Sequence, residues 1–217
     1  LLLNNDTIVN PSLLIELEAP LKRQDIGVVG CIITYVGSKR IWFAGGILNS
    51  TFCFTRHKLM DTIMPQKNLI REESVDFITG AVLFTKREVF EKIGLLPEDY
   101  FLYWEDVDFC YRASKGGYKC VIVNKPLVQH SVSAASGERG SNKLSPIRAY
   151  YYARNPFLFM KKNRLPIIPG VLTQLCIQLP YSMLLFTSYS SFLHYVKGLI
   201  DGCKYLARQT YEKKENS

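Results

Sequence analysis

Short apolar runs separated by turn residues fill the first two thirds of the chain, and one long uncharged stretch dominates the rest. The run 1-LLL-3 reads as a buried strand that stops at Asn4-Asn5-Asp6. In 10-NPSLLIELEA-19 the pattern predicts a helix with Asn10 at the N-cap and Pro11 at the first helical position. The runs 27-GVVGCIITY-35 and 41-IWFAGGIL-48 read as strands, the second broken by Gly45-Gly46. Residues 49–74 carry no pattern that assigns them. The apolar run 75-VDFITGAVLF-84 reads as a strand with Gly80 inside it. A helix follows, with Thr85 and Glu88 as a capping box, Val89, Phe90 and Ile93 on one face, and Gly94 at the stop. The stretch 101-FLYWEDVDFCYR-112 starts another helix, closed by Gly116-Gly117. Two strands, 118-YKCVIV-123 and 127-LVQHS-131, flank Asn124-Lys125-Pro126.

This alternation predicts an α/β domain with a mixed sheet. The small, polar run 134-AASGERGSNKLS-145 reads as a mobile loop between a domain at 1–133 and a helical region at 146–217. Ser145-Pro146 starts a helix through 150-YYYARN-155, which Pro156 is expected to end or kink. Residues 165–196 contain no Asp, Glu, Lys or Arg. The basic group 161-KKNR-164 precedes them, and Lys197, Lys204, Arg208, Lys213 and Lys214 follow. About 20 apolar residues span a bilayer, but Pro166, Pro169, Gln174, Gln178 and Pro180 interrupt this run. The pattern favours interfacial helices on an anionic membrane surface. A transmembrane span and packing on the domain or a partner subunit are the alternatives.

Composition narrows the classes further. With 217 residues and 47% apolar content the chain can build a core and is not a disordered segment. A net charge of +8 suits an anionic partner: phosphate, anionic lipid or nucleic acid. The basic residues flank the apolar run and form no aromatic-interleaved stripe, so no nucleic acid is expected. None of the six cysteines forms a Cys-x-x-Cys pair, which favours buried, reduced thiols over disulfides or zinc. The chain starts within a strand pattern and without Met, and reads as part of a longer sequence.

The acidic cluster raises the chemical question. Glu105, Asp106 and Asp108 fall within four residues among aromatic and apolar neighbours. Asp108 and Arg112 are four apart on the predicted helix and form a structural pair. Glu105 and Asp106 lie at the helix start, where free N–H groups favour negative charge, so plain capping is one reading. Asp6 closes one strand and His130 sits near the end of another; strand ends are where α/β folds place ligand-binding groups. Gly45-Gly46 and Gly80 mark points where a ligand can approach the backbone.

The order of these segments resembles glycosyltransferase family 2, in particular its rhamnosyltransferase-like branch. The resemblance rests on the strand ending in Asn-Asn-Asp-Thr, on 79-TGAVLFTKREVFEKIGLLPEDYFLYWEDVDFCYR-112, on Lys-Gly-Gly-Tyr, and on a strand ending in Gln-His. It runs from about Leu1 to Asn155. It implies the C-terminal part of a GT-A fold, with the N-terminal nucleotide-binding half absent, so that this fragment alone is expected to be inactive. It implies inverting transfer of a sugar from a nucleotide-diphospho donor to an acceptor hydroxyl of a saccharide or lipid-linked acceptor, in cell-surface polysaccharide or glycolipid synthesis at the cytoplasmic face of the cell membrane. Asp106 matches the catalytic base, and Glu105 positions the acceptor or Asp106. Asp6 and His130 match ligands of a divalent cation, Mn2+ or Mg2+. Asn4 stands at the first position of the Asp-x-Asp-type motif, which lowers the carboxylate count. Asn4, Arg139 and Lys143 are assigned to the donor diphosphate, and Gly80, Ala81, Trp104 and Glu105 to the acceptor. A metal-dependent hydrolase and a non-catalytic membrane-docking subunit remain as rivals.

Overall fold

The computed structural model of the chain describes residues 1–64, 71–131 and 143–215, with residues 208–215 described as helix backbone only. Contacts group it into two units. The first comprises Leu1–Leu48, Thr55–Pro97 and Asp106–Ser141; the second comprises Asn49–Phe54, Glu98–Glu105 and Asn142–Ser217. The predicted loop at 134–145 therefore lies largely outside the described residues.

The first unit is built on a mixed sheet. Its elements are β1 (Leu2–Leu3), β2 (Thr7–Val9), α1 (Leu13–Leu21), β3 (Ile26–Tyr35), β4 (Ile41–Phe43), β5 (Gly46–Asn49), β6 (Phe54–His57), β7 (Glu72–Val75), β8 (Val82–Thr85), α2 (Arg87–Ile93), α3 (Glu105–Lys115) and β9 (Lys119–His130). Seven strands form one sheet in the order β1-β8-β3-β9-β2, with β4 added to β3 and β7 to β9, and β5 pairs with β6 separately. β3 and β9 run parallel, and the other pairs in the sheet are antiparallel. β3 is apolar without alternation, and all its residues but Tyr35 are buried. Such a strand needs cover on both faces, which places it at the sheet centre.

Several local expectations are corrected. β1 forms, but its leucines are exposed, because β1 is an edge strand bonded to β8 alone. The first helix starts at Leu13 with Ser12 as N-cap, and Asn10 Oδ1 instead accepts from the Ser12 N–H at 2.9 Å in an Asx turn. Thr85 and Glu88 make no capping box: Lys86 is the N-cap of α2, and the Thr85 hydroxyl donates to the Gly27 carbonyl at 2.7 Å. The run 75–84 splits into the end of β7 and the start of β8 around Gly80. β9 continues through Asn124-Lys125-Pro126 as one strand, and register shifts beside Ile32 absorb the irregularity.

The second unit is helical. Among the described residues it contains a 3-10 turn at Glu98–Tyr100, α4 (Pro146–Lys162), α5 (Ile167–Thr173), a π-helical turn (Gln174–Gln178), α6 (Leu179–Met183) and α7 (Tyr189–Glu215). α4 continues past Pro156 and is not ended by it. An interior proline costs about 3 kcal/mol, but Phe157 and Phe159 are fully buried, and burying each Phe returns roughly 1.5–3 kcal/mol. α4 and α7 pack at glycine notches: a Cβ on Gly198 would lie 2.3 Å from the Tyr150 carbonyl, and one on Gly202 would lie 2.6 Å from the Phe157 ring. Among the described residues no helix is long and apolar enough to cross a membrane. The uncharged stretch instead forms short helices with outward apolar side chains, among them Ile168, Leu172, Ile177, Met183, Leu184 and Tyr189.

Candidate active site

Strand pairing brings Asp6 and His130 together. β2 runs antiparallel to β9 with Thr7 opposite His130, so the residue before Thr7 falls beside the imidazole. His130 Nε2 donates to Asp6 Oδ1 at 2.9 Å, and the Ser131 N–H holds the Asp6 carbonyl at 3.0 Å. The Trp42 ring meets the imidazole edge-on, with centroids 4.5 Å apart. On its other side Trp42 meets His57, also edge-on, at 5.4 Å. His130 Nδ1 is buried and makes no hydrogen bond among the described residues. Burial pushes the His130 pKa down and outweighs the opposing pull of Asp6, so the imidazole is neutral at pH 7, the form able to bind a metal. The Asn4 N–H donates to the Ala81 carbonyl at 3.1 Å, and its side-chain amide lies 3.5 Å from His130 Nε2.

Asp106 lies on the next link of this chain of contacts. Its Oδ2 accepts the Gly80 N–H at 2.8 Å and its Oδ1 the Val107 N–H at 2.8 Å. The Thr79 hydroxyl is a further donor to it. Burial nevertheless raises the Asp106 pKa, against the lowering by Gly80, Val107 and Thr79. The helix start therefore satisfies the carboxylate without overriding its desolvation. Two residues on, Asp108 is handled differently. Its side chain is 3% exposed and accepts from Arg112 Nε at 2.7 Å. Arg112 also donates to the Ile93 carbonyl and, at 2.9 Å, to the Leu95 carbonyl, closing the end of α2. Asp108 pairs with Arg112, as its spacing predicts.

Glu105 and Trp104 belong to the second unit. Trp104 is buried and packs on Phe159 with centroids 5.0 Å apart. The segment that leads to them is strained: Phe101, Tyr103 and Trp104 have φ of 62°, 65° and 77°. Each such non-glycine residue costs on the order of 1–3 kcal/mol and persists only where its surroundings enforce it. Asn155 supplies that enforcement, with Nδ2 donating to the carbonyls of Tyr100 at 3.0 Å, Leu102 at 2.5 Å and Tyr103 at 2.9 Å.

The structure thus gathers Asn4, Asp6, Gly80, Ala81, Asp106 and His130 within the first unit. Lys143 lies in the second unit and donates to the Leu184 carbonyl at 3.1 Å. Arg139 lies outside the described residues. The space over Gly45-Gly46 is filled by protein, since Cβ atoms there would lie 2.5 Å from Val75 and 2.1 Å from Phe77. Among the described residues no three His, Cys, Asp or Glu side chains converge on one point. All six cysteines are free, and four of them, Cys31, Cys53, Cys110 and Cys120, are buried. Sequence reasoning missed Thr79, Trp42 and Asn155. Thr79 was adjacent to Gly80 and open to suspicion; Trp42 and Asn155 act through contacts that no local pattern announces.

The same constellation has known relatives. Over 129 residues, 58% of this chain, the sequence is 26% identical to the dTDP-rhamnosyl transferase RfbF of Shigella flexneri, covering 43% of that protein. Over 74 residues, 34% of this chain, it is 32% identical to an N-acetylglucosaminyl-diphospho-decaprenol L-rhamnosyltransferase of Mycobacterium tuberculosis, covering 24% of that protein. Over 41 residues, 19% of this chain, it is 44% identical to the low-salt glycan biosynthesis hexosyltransferase Agl10 of Haloferax volcanii, covering 13% of that protein. The chain spans less than half the length of these curated relatives. The model of the glycosyl transferase family group 2 matches residues 1–207, nearly the whole sequence. The chain belongs to the glycosyl transferase family group 2.

Proposed function

We propose that the protein containing this chain transfers a sugar, with rhamnose the favoured donor sugar, from a nucleotide-diphospho donor to an acceptor hydroxyl with inversion at the anomeric carbon. The observation that carries this reading is the contrast between two neighbouring acids. Asp108 is matched by a guanidinium, whereas Asp106 is held by N–H and O–H dipoles with its pKa raised. A buried carboxylate held by dipoles is fixed in orientation yet able to take a proton. Asp106 takes the proton of the acceptor hydroxyl as that oxygen attacks the anomeric carbon and the bond to the diphosphate breaks. Gly80 and Val107 hold the carboxylate, and Asn4 joins Ala81 to the Asp6–His130 pair.

A carboxylate, a neutral imidazole and a nearby side-chain amide fit a hard divalent cation such as Mn2+ or Mg2+, which takes its remaining ligands from phosphate and water. Asp6 and His130 would hold it once the Nε2 proton that now bridges them has moved to Nδ1, and the bound cation would neutralise the departing diphosphate. The acceptor is read as a saccharide or lipid-linked saccharide of a cell-surface glycan. The outward apolar face of α5 to α7 supports docking on an anionic membrane surface, the cytoplasmic face of the cell membrane, with exposed Arg164 and Lys197 contributing attraction. Lys162 contributes less, because it is paired with Asp99 at 2.7 Å.

The test is turnover of dTDP-rhamnose by the full-length protein with N-acetylglucosaminyl-diphospho-decaprenol as acceptor, followed by NMR assignment of the new anomeric centre. Inverted product that requires Mn2+ or Mg2+ is expected. Retention of configuration, or equal turnover in excess chelator, would overturn the mechanism.

A further inference from the structure

Ile78 is fully buried, lies between the end of β7 and the start of β8, and has its backbone bonded to a side chain. Phe77, before it, is bridged to Gly46, whose N–H donates to the Phe77 carbonyl at 3.0 Å. Gly80, after it, donates its N–H to Asp106 Oδ2 at 2.8 Å. Between these anchors the Ile78 N–H donates to Cys110 Sγ at 3.3 Å, and the Cys110 thiol donates back to the Ile78 carbonyl at 3.8 Å. Burial raises the Cys110 pKa, so the thiol keeps the proton that the second bond needs. The Ile78 side chain is seated as well. It fills the notch at Gly30 of β3, where a Cβ would lie 2.5 Å from Ile78 Cγ2. A buried cysteine ordinarily serves as a small hydrophobe. This one serves both backbone groups of a buried residue outside any strand or helix, and such groups are costly to leave unpaired.

We infer that Cys110 is a positioning residue for Asp106, its thiol pinning Ile78 so that the Gly80 N–H meets the carboxylate. Asp106 and Cys110 are four apart on α3, one turn, so a single helix grips the 78–80 segment at two points. The inference rests on the reading of Asp106 as the base; the pin itself does not. Cys110 is fully buried and acts through Asp106, not on donor or acceptor. Without the thiol the segment loses one of its two ties to α3, and Gly80 no longer fixes Oδ2. Misplacing a catalytic group by about 1 Å can cost on the order of 100-fold in rate.

The experiment compares the full-length protein with Cys110→Ala and Cys110→Ser, each alone and in an Asp106→Asn background. Serine keeps a donor and an acceptor at this position, and alanine keeps neither. Amide hydrogen exchange is followed at Ile78 and Gly80. The rate of transfer from dTDP-rhamnose to N-acetylglucosaminyl-diphospho-decaprenol is measured per folded molecule, below the melting transition. In the parent both amides should be as protected as those of β8. Cys110→Ala should speed their exchange and lower kcat at least tenfold with an unchanged donor KM, and Cys110→Ser should restore most of both. In the Asp106→Asn background Cys110→Ala should cost no further rate, because its effect runs through the missing base. Parental kcat in Cys110→Ala overturns the inference. So does a serine that serves no better than alanine, since the thiol would then be apolar filling. An equal tenfold loss in the Asp106→Asn background overturns it too, since Cys110 would act elsewhere. An Ile78 amide that exchanges freely in the parent refutes the pin even where neither variant folds. A parent that turns over no dTDP-rhamnose, or an Asp106→Asn variant at the parental rate, defeats the base reading and the positioning role with it, while exchange still decides the pin.

Discussion

The two units bury polar groups for opposite purposes. In the sheet unit the buried polar side chains include Thr79, Asp108 and His130, and each is tied to an ionisable partner or to Asp106. In the helical unit they include Asn155 and Gln174, which donate to backbone carbonyls and carry no charge. The apolar surfaces differ as well. The helical unit turns a large share of its uncharged stretch outward, on α5 and α6 above all. Charge buried with dipoles favours proton transfer; amides buried on carbonyls favour a fixed shape. On the proposed mechanism the chemistry belongs to the sheet unit.

The largest effect that would break this comparison lies in the sheet unit. Asp106→Asn keeps the size of the side chain but cannot take a proton, and its Nδ2 must face one of the two N–H groups that the carboxylate accepts. Transfer should fall by about 10²–10⁴-fold, with donor binding near that of the parent and a melting temperature lowered by the one mismatched N–H. Steady-state kinetics, donor titration and a thermal melt check it. Asp108→Ala should do the reverse. It takes one of three acceptors from the part-buried Arg112 guanidinium, which keeps the Ile93 and Leu95 carbonyls, so stability should fall by about 1–3 kcal/mol, while the folded fraction keeps the parental rate. Chemical denaturation paired with kinetics at low temperature separates the two. An Asp108 variant that is well folded and inactive would mean that the base has been assigned to the wrong acid.

How far the sequence announced this is uneven. The mixed sheet was legible because β3 and β8 are continuous apolar runs with turn residues between them. The Asp108–Arg112 pair was legible because helical spacing is local. The Asp6–His130 contact follows from a register that pairs positions 124 residues apart, and only the family pattern hinted at it. Pro156 was expected to end or kink α4; it does not end it, since tertiary burial of its neighbours offsets the broken helical bond. The capping box misled as well, because the Thr85 hydroxyl found a better partner in the Gly27 carbonyl across the sheet.

A smaller effect sharpens the helical side. Replacing outward Ile168 and Leu184 by Asp should weaken binding to anionic vesicles by roughly tenfold per residue, and added salt should weaken the parent's binding further. Vesicle co-sedimentation reads both. Equal partitioning of parent and double variant would remove the membrane from the account.

The sheet unit's claim is tested most directly by the pH dependence of kcat/KM. A base works only when ionised, so the rate must rise with pH through the Asp106 pKa, and burial places that rise above the ordinary carboxylate range near 3.9. Stability linked to Asp106 runs the other way, present at low pH and lost as pH climbs through the raised pKa. The account predicts a parental profile with an elevated acid limb and an Asp106→Asn profile that is low and lacks that limb. The same acid limb at the same pH in Asp106→Asn would contradict it.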